Sequence, residues 1–178
     1  MKTIFIMLLI NAIMQDPAAI IFDFNKEKST TSWFVVNDGV MGGLSKGTLT
    51  VNDDGNGFFT GYVTTENNGG FSSIRYEFNE KEVSTYSHIV LKIKGDGKKY
   101  QFRIKEKASQ RFSYISEFTT SGAWETIKIP LREFYPSFRG YTLNKPNFSG
   151  NMMEEIGILI GNKKKEVFSL EIKSITLE

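Results

Sequence analysis

The 178-residue chain has no cysteine and one histidine, His88. The first absence excludes disulfides, thiolate zinc sites, iron–sulfur clusters, cysteine nucleophiles and a lipidated N-terminal cysteine. The second excludes H-E-x-x-H and three-histidine metal sites. Charge of one sign is also scarce as an excess: 22 Lys+Arg against 20 Asp+Glu leave +2. That balance carries no broad basic footprint for DNA or RNA. No apolar run reaches the ~20 residues that a membrane-spanning helix needs. No long segment repeats its apolar residues at 3.6 spacing, so extended helices are not expected.

What is present suits a sheet protein. Aromatics reach 13%, glycines number 16 and prolines only 4, a mix of strand formers and tight turns. A hydrophobic fraction of 40% is enough for a core in a single domain. Apolar and polar residues alternate at Ile74-Arg75-Tyr76-Glu77-Phe78, Ile89-Val90-Leu91-Lys92-Ile93 and Tyr100-Gln101-Phe102-Arg103-Ile104. The same period of two recurs at Ile127, Ile129 and Leu131 and at Phe168, Leu170 and Ile172. Ile156 to Ile160 is nearly continuous and predicts a central strand. Gly95-Asp96-Gly97 predicts a hairpin between the runs on either side of it. Short helical turns are expected at Leu131–Tyr135, after Pro130, and at Asn151–Glu155. Many short strands at regular spacing make the fold all-β, a β-sandwich or jelly roll.

At the N-terminus, Lys2 precedes an apolar run from Ile4 to Met14, which reads as a secretory signal and is too short to span a bilayer. The chain therefore divides into residues 1–19, a signal peptide or apolar segment, and a domain over 20–178. The destination is extracytoplasmic (periplasmic or secreted) if that signal is real, and otherwise cytoplasmic.

Local catalytic and cofactor motifs fail on inspection. Gly95-Asp96-Gly97 starts like a dinucleotide fingerprint, but Tyr100 stands at the third glycine position. Asn52, Asp54, Asn56 and Gly57 mimic half an EF-hand loop, yet Val63 replaces the closing glutamate. A hairpin turn between Leu49–Val51 and Phe58–Val63 is expected there instead. Ser87 and His88 are adjacent, which on a strand points them to opposite faces, and no G-x-S-x-G elbow exists. Lys163-Lys164-Lys165 reads as a solvated turn. Two distant acids can still converge in space, and a calcium loop leaves little trace in sequence. The expectation is a non-enzyme without cofactor or metal. Trp33, Trp124, Tyr62 and Tyr114 are candidates for stacking on sugar rings, with most of them expected in the core.

Two glycine-rich loops stand out, Asn37-Asp38-Gly39-Val40-Met41-Gly42-Gly43-Leu44-Ser45 and Glu66-Asn67-Asn68-Gly69-Gly70-Phe71. Gly-Gly pairs permit positive φ and close backbone approach, and Asp38, Asn67 and Asn68 can fix such turns. Arg75 follows on the face opposite Ile74 and Tyr76; if covered it needs a partner, Asp38 or Glu66.

These blocks, with Phe22-Asp23-Phe24, Trp33, Phe59-Thr60-Gly61, Ser72-Ser73-Ile74-Arg75, Trp124, Arg139-Gly140 and Ile156–Ile160, resemble the complex I intermediate-associated protein 30 family. The resemblance covers nearly all of residues 20–178. It implies a galactose-binding-like β-sandwich and a non-catalytic assembly factor or protein-interaction module whose partner is a protein assembly intermediate. The fold is shared with carbohydrate-binding modules, so the alternative is an extracytoplasmic glycan binder. A glycan would use a concave face with an exposed aromatic beside Arg103, Gln101 or Arg75. The candidate binding residues are Trp33, Asn37, Asp38, Met41, Asn67, Asn68, Arg75 and Arg139, with no catalytic or metal-ligating residue among them.

Overall fold

The computed structural model describes residues 18–178, with the side chains of Val40 and Met41 left aside. The signal segment expected over residues 1–14 lies outside the described residues. The strands are β1 (Ala19–Asp23), β2 (Trp33–Asn37), β3 (Lys46–Val51), β4 (Gly57–Val63), β5 (Ser72–Glu82), β6 (His88–Lys94) and β7 (Lys99–Lys105). They continue as β8 (Ser113–Thr119), β9 (Trp124–Pro130), β10 (Tyr135–Phe138), β11 (Tyr141–Thr142), β12 (Met152–Ile160) and β13 (Glu166–Leu177). Among the described residues, helical structure is confined to α1 (Phe24–Glu27) and short 3-10 turns. Among the described residues no helix is long and apolar enough to cross a membrane.

The strands form two antiparallel sheets. One has the order β3-β4-β13-β6-β9, with β1 also paired to β13. The other has the order β11-β10-β8-β7-β12-β5-β2. The alternation read from sequence builds the sandwich directly. Ile89, Leu91 and Ile93 of β6 and Phe168, Leu170 and Ile172 of β13 face Phe102 and Ile104 of β7 and Ile156, Ile158 and Ile160 of β12, all buried. The chain is thus an all-β jelly-roll sandwich. β12 is an interior strand of its sheet, paired on both sides with β5 and β7, as its nearly continuous apolar run predicts.

Two local expectations are corrected. Asn151–Glu155 is not a helical turn, because β12 starts at Met152 and pairs with β5, burying Met153 completely. Gly95-Asp96-Gly97 is not a hairpin, because β6 and β7 belong to different sheets. It is a crossover. Asp96 accepts hydrogen bonds from the Ser169 amide of β13 at 2.9 Å and from the Tyr100 hydroxyl at 2.9 Å, so one carboxylate ties the crossover to both sheets. By contrast, Asn52–Asn56 does turn the β3–β4 hairpin, with the Asn56 amide donating to Asn52 Oδ1 at 2.8 Å. Leu131–Glu133 forms the 3-10 turn expected after Pro130.

One end of the sandwich closes with aromatic rings. Phe24 stacks on Trp33 at 5.6 Å, Trp33 on Tyr76 at 5.2 Å, and Phe22 meets all three edge-on. Phe24 is fully buried, and its ring occupies the space that a Cβ on Gly57 would need. Phe24→Ala should therefore cost about 3–5 kcal/mol of unfolding free energy through the cavity it leaves. Gly57→Ala should cost about 1–3 kcal/mol through overpacking. Chemical denaturation of the two variants checks both values.

Candidate functional site

A strand presents alternate residues to opposite faces, so Ser73 and Arg75 of β5, Gln101 and Arg103 of β7, and Gly157 and Leu159 of β12 share the face turned away from the core. The register aligns them. Phe34, Arg75, Gly157, Arg103, Ile115 and Tyr135 form one row across the seven-stranded sheet. Val36, Ser73, Leu159, Gln101 and Glu117 form the next. Over these rows lies a groove of about 680 Å³. Its walls are the loop Thr65–Phe71, the β10–β11 turn at Arg139-Gly140, and the β12–β13 turn at Gly161 and Lys163.

The charge in this groove has one sign. Arg75, Arg103, Lys105, Arg111, Arg139 and Lys163 line it, and no carboxylate does. Lys105 is neutralised by Glu155 at 2.9 Å, in a pair buried at the groove's margin. Among the described residues the other five cations make no ion pair. Arg103 donates only to Gln101 Oε1, at 3.2 Å. Burial, together with the neighbouring Arg75, pulls the Arg103 guanidinium down to about 10, against the opposing pull of Glu155. Gly157 separates the two arginines, and a side chain there would meet the Ile74 carbonyl and the Arg75 stem. Arg111 and Arg139 both lie over the Phe138 ring, at 5.8 and 5.4 Å from its centroid.

The groove wall is held by a buried acid. Asp38 is fully buried and accepts hydrogen bonds from the amides of Ser45 (3.0 Å), Gly70 (2.6 Å) and Phe71 (3.3 Å). A Cβ at Gly43 or Gly69 would collide with its carboxylate, which explains a glycine in each loop. Gly42, at φ 87°, and Asn67 and Asn68, at φ 53° and 59°, supply the left-handed turns. Burial alone would raise the Asp38 pKa; the hydrogen bonds from Ser45, Gly70 and Phe71 outweigh it and hold the carboxyl below its ordinary 3.8. Asn37 makes a parallel brace, accepting from the Gly47 amide and the Ser72 hydroxyl.

The candidate residues therefore separate. Asn68, Arg75 and Arg139 line the groove. Asn67 sits exposed in its wall. Asn37 and Asp38 support that wall from behind, so Asp38 does not pair with Arg75; Glu66 lies instead beside Lys165, at 3.9 Å. Trp33 is 7% exposed within the aromatic cluster and offers no ligand surface. The Met41 side chain lies outside the described residues. Arg103, Gln101 and Lys105 were legible as the polar phase of β7, but only the register joins them to Arg75. Arg111, Phe138 and Lys163 come from loops and strand ends with no periodic signal.

Outside the groove, Ser87 and His88 do meet, with Oγ and Nδ1 2.7 Å apart, because Ser87 precedes β6 and escapes strand alternation. Ser87 Oγ is also 3.2 Å from the Glu178 carbonyl. No carboxylate orients the ring in the hydrogen bonds of the described residues. Those residues also contain no cluster of three His, Cys, Asp or Glu side chains that could hold a metal. Tyr114 is buried, while Trp124 and Tyr62 are exposed on the six-stranded sheet, away from the groove.

Comparison with known proteins decides the family. The sequence profile of complex I intermediate-associated protein 30 matches residues 22–172. The chain belongs to this family. It is 25% identical over 194 residues to a probable mitochondrial complex I intermediate-associated protein 30 of Caenorhabditis elegans, covering 93% of this chain and 56% of that protein. It is 28% identical over 160 residues to the Caenorhabditis briggsae counterpart, covering 75% and 46%. The chain thus spans about half the length of these relatives. In fold it is similar to the family 11 carbohydrate-binding module of the cellulosomal cellulase Lic26A-Cel5E of Clostridium thermocellum. That similarity has a TM-score of 0.65 at 20% identity, over 90% of this chain and 94% of that one. The galactose-binding-like sandwich implied by the family resemblance is the fold observed.

Two predictions follow from this geometry. Asp38→Asn turns one acceptor oxygen into an amide facing an N–H donor, and should cost about 2–4 kcal/mol by denaturant titration. Because the folded-state pKa of Asp38 lies below 3.8, its stabilisation is present above about pH 4 and is lost as pH falls through the folded value. The acid limb of the wild-type stability profile should therefore be steeper than that of Asp38→Asn. Arg103→Met removes a desolvated charge facing Arg75 and should leave stability unchanged or raise it by about 1 kcal/mol. A fall of more than that in thermal melts would make Arg103 a structural brace.

Proposed function

We propose that this chain is a non-catalytic binding domain of the assembly-factor type, which holds a protein partner on the concave face of its seven-stranded sheet. The observation that carries the reading is the groove itself: a lined, walled surface on which every cation but Lys105 lacks an ion-pair partner, while among the described residues no acid, histidine or thiol lines it. A glycosidase needs two carboxylates about 5–10 Å apart, and a serine nucleophile needs an adjacent base. The groove offers Ser113 and Ser137 without a base, so it is built to bind rather than to react. Family membership supports a protein assembly intermediate as the partner, as the names of the worm relatives indicate for those proteins.

The second reading is a glycan-binding module. It is supported by the sandwich shared with a carbohydrate-binding module and by the placing of Arg75, Gln101 and Arg103 on one concave face. The rings lining the groove are Phe71 and Phe138, with Phe34 and Tyr135 at the ends of the arginine row and the exposed Tyr141 just past the Arg139-Gly140 turn. Phe138 already carries Arg111 and Arg139, which leaves its ring less available to a neutral sugar. An extracytoplasmic site of action belongs to the same proposal and rests on the apolar run from Ile4 to Met14.

The deciding experiment is recovery of a C-terminally tagged full chain from its native cells, with N-terminal sequencing and mass spectrometry of what accompanies it. A defined assembly with stoichiometric partners is the expected result. Recovery of the protein alone, shortened at its N-terminus and retained on a glycan column, would replace the assembly reading with the glycan one.

A further inference from the structure

We propose that the arginine groove takes an extended acidic segment of a protein partner, with its carboxylates seated on Arg75 and Arg103 and its far end on Arg111 and Arg139. The inference deepens the binding reading above and rests on it.

The first argument is charge placement. Arg75 and Arg103 flank Gly157 on adjacent strands of the same row, which sets their backbones about 10 Å apart at two inter-strand spacings. Arg111 and Arg139 converge on Phe138 at the other end of the groove. A single small anion cannot meet both groups. From Val36 on β2 to Phe138 on β10 the groove crosses five inter-strand steps, about 24 Å, which fits about seven residues of extended chain.

The second argument is desolvation. Like-charged guanidiniums held side by side with no carboxylate among the lining residues carry an electrostatic cost in the free protein, and an incoming carboxylate removes it. At the groove's margin Lys105 is neutralised by Glu155, and elsewhere the chain pairs Lys98 with Asp96 and Lys94 with Glu171. The groove is where that pattern stops.

The third argument concerns the rings. The Phe138 ring, which a neutral sugar would use within the groove, already carries two guanidiniums; of the other exposed rings, Trp124 and Tyr62 lie on the opposite sheet and Tyr141 stands on the edge strand past the Arg139-Gly140 turn. With a net charge of only +2, the chain carries no broad basic excess, which suits a short acidic segment better than a nucleic acid.

The test uses the full chain and a dye-labelled octapeptide of alternating Glu and Ser, read by fluorescence anisotropy. Its Gln–Ser counterpart, an oligogalacturonate and inorganic polyphosphate are the comparison probes. The Glu peptide should bind at least tenfold more tightly than the Gln peptide, and should weaken several-fold between 50 and 200 mM salt. Arg75→Gln and Arg103→Gln should each lose about tenfold, with thermal melts unchanged. Equal affinity for the Glu and Gln peptides, or no loss in either variant, would overturn the proposal. So would tighter binding of oligogalacturonate or polyphosphate than of the Glu peptide. Pull-down by the double variant separates this failure from that of the broader reading. If the double variant recovers the same partner as wild type, the groove assignment falls while the protein-binding function stands. If wild type recovers no partner, the broader function falls instead.

Discussion

The groove wall depends on one buried carboxylate. Asp38 gathers three backbone amides from two loops that are more than twenty residues apart in sequence, Ser45 on one side and Gly70 and Phe71 on the other. Without it, those N–H groups would be desolvated and unsatisfied, and the loops would have no reason to approach. With it, the segment after β2 and the segment before β5 become one wall standing beside the sheet. The glycines at 43 and 69 are consequences of that carboxylate, because any Cβ there would fall on it.

Behind this clasp, the sandwich follows from simple alternation. Inward phases of β6, β7, β12 and β13 supply a core of isoleucine, leucine and phenylalanine with complete burial at most positions. The outward phase of the same strands is then free to carry function. On β7 the partition is sharp: Tyr100, Phe102 and Ile104 go in, while Gln101, Arg103 and Lys105 go out. Gly157 on β12 keeps the row low between Arg75 and Arg103, so the strand between β5 and β7 contributes an absence of side chain to the groove.

The two carboxylates at crossovers, Asp38 and Asp96, do similar work in different places. Each accepts several hydrogen bonds, and each is held below its ordinary pKa of 3.8 because those bonds outweigh burial. Asp96 ties the sheets together, and Asp38 ties the groove wall to the sheet edge. The arginines of the groove are the converse case, charges brought near each other without an ion-pair partner among the described residues, and for Arg103 the pull of Glu155 opposes burial and Arg75. The fold satisfies these two acids with several hydrogen bonds each and leaves the groove's guanidiniums open.

Much of this was legible in the chain alone. Period-two alternation marked β5, β6, β7, β9 and β13, because a strand's two faces are set by local geometry and one face here is apolar. The two glycine-rich blocks marked the loops and carried the family resemblance, and Arg75, Asn68 and Arg139 proved to line the groove. What local pattern could not decide was pairing. Gly95-Asp96-Gly97 has the composition of a hairpin turn, yet the strands it joins belong to different sheets, since their partners are β13 and β12, far away in sequence. Asn151–Glu155 reads as a turn until β5 is set beside it. Trp33 looks like a ligand platform until Phe22, Phe24 and Tyr76 surround it. The residue types, their alternation and the special backbone positions belong to the sequence, because they follow from side-chain chemistry within a few residues. That Arg103 lies beside Arg75, and that Asp38 faces backbone amides instead of an arginine, was decided only by the register of strands brought together from distant parts of the chain.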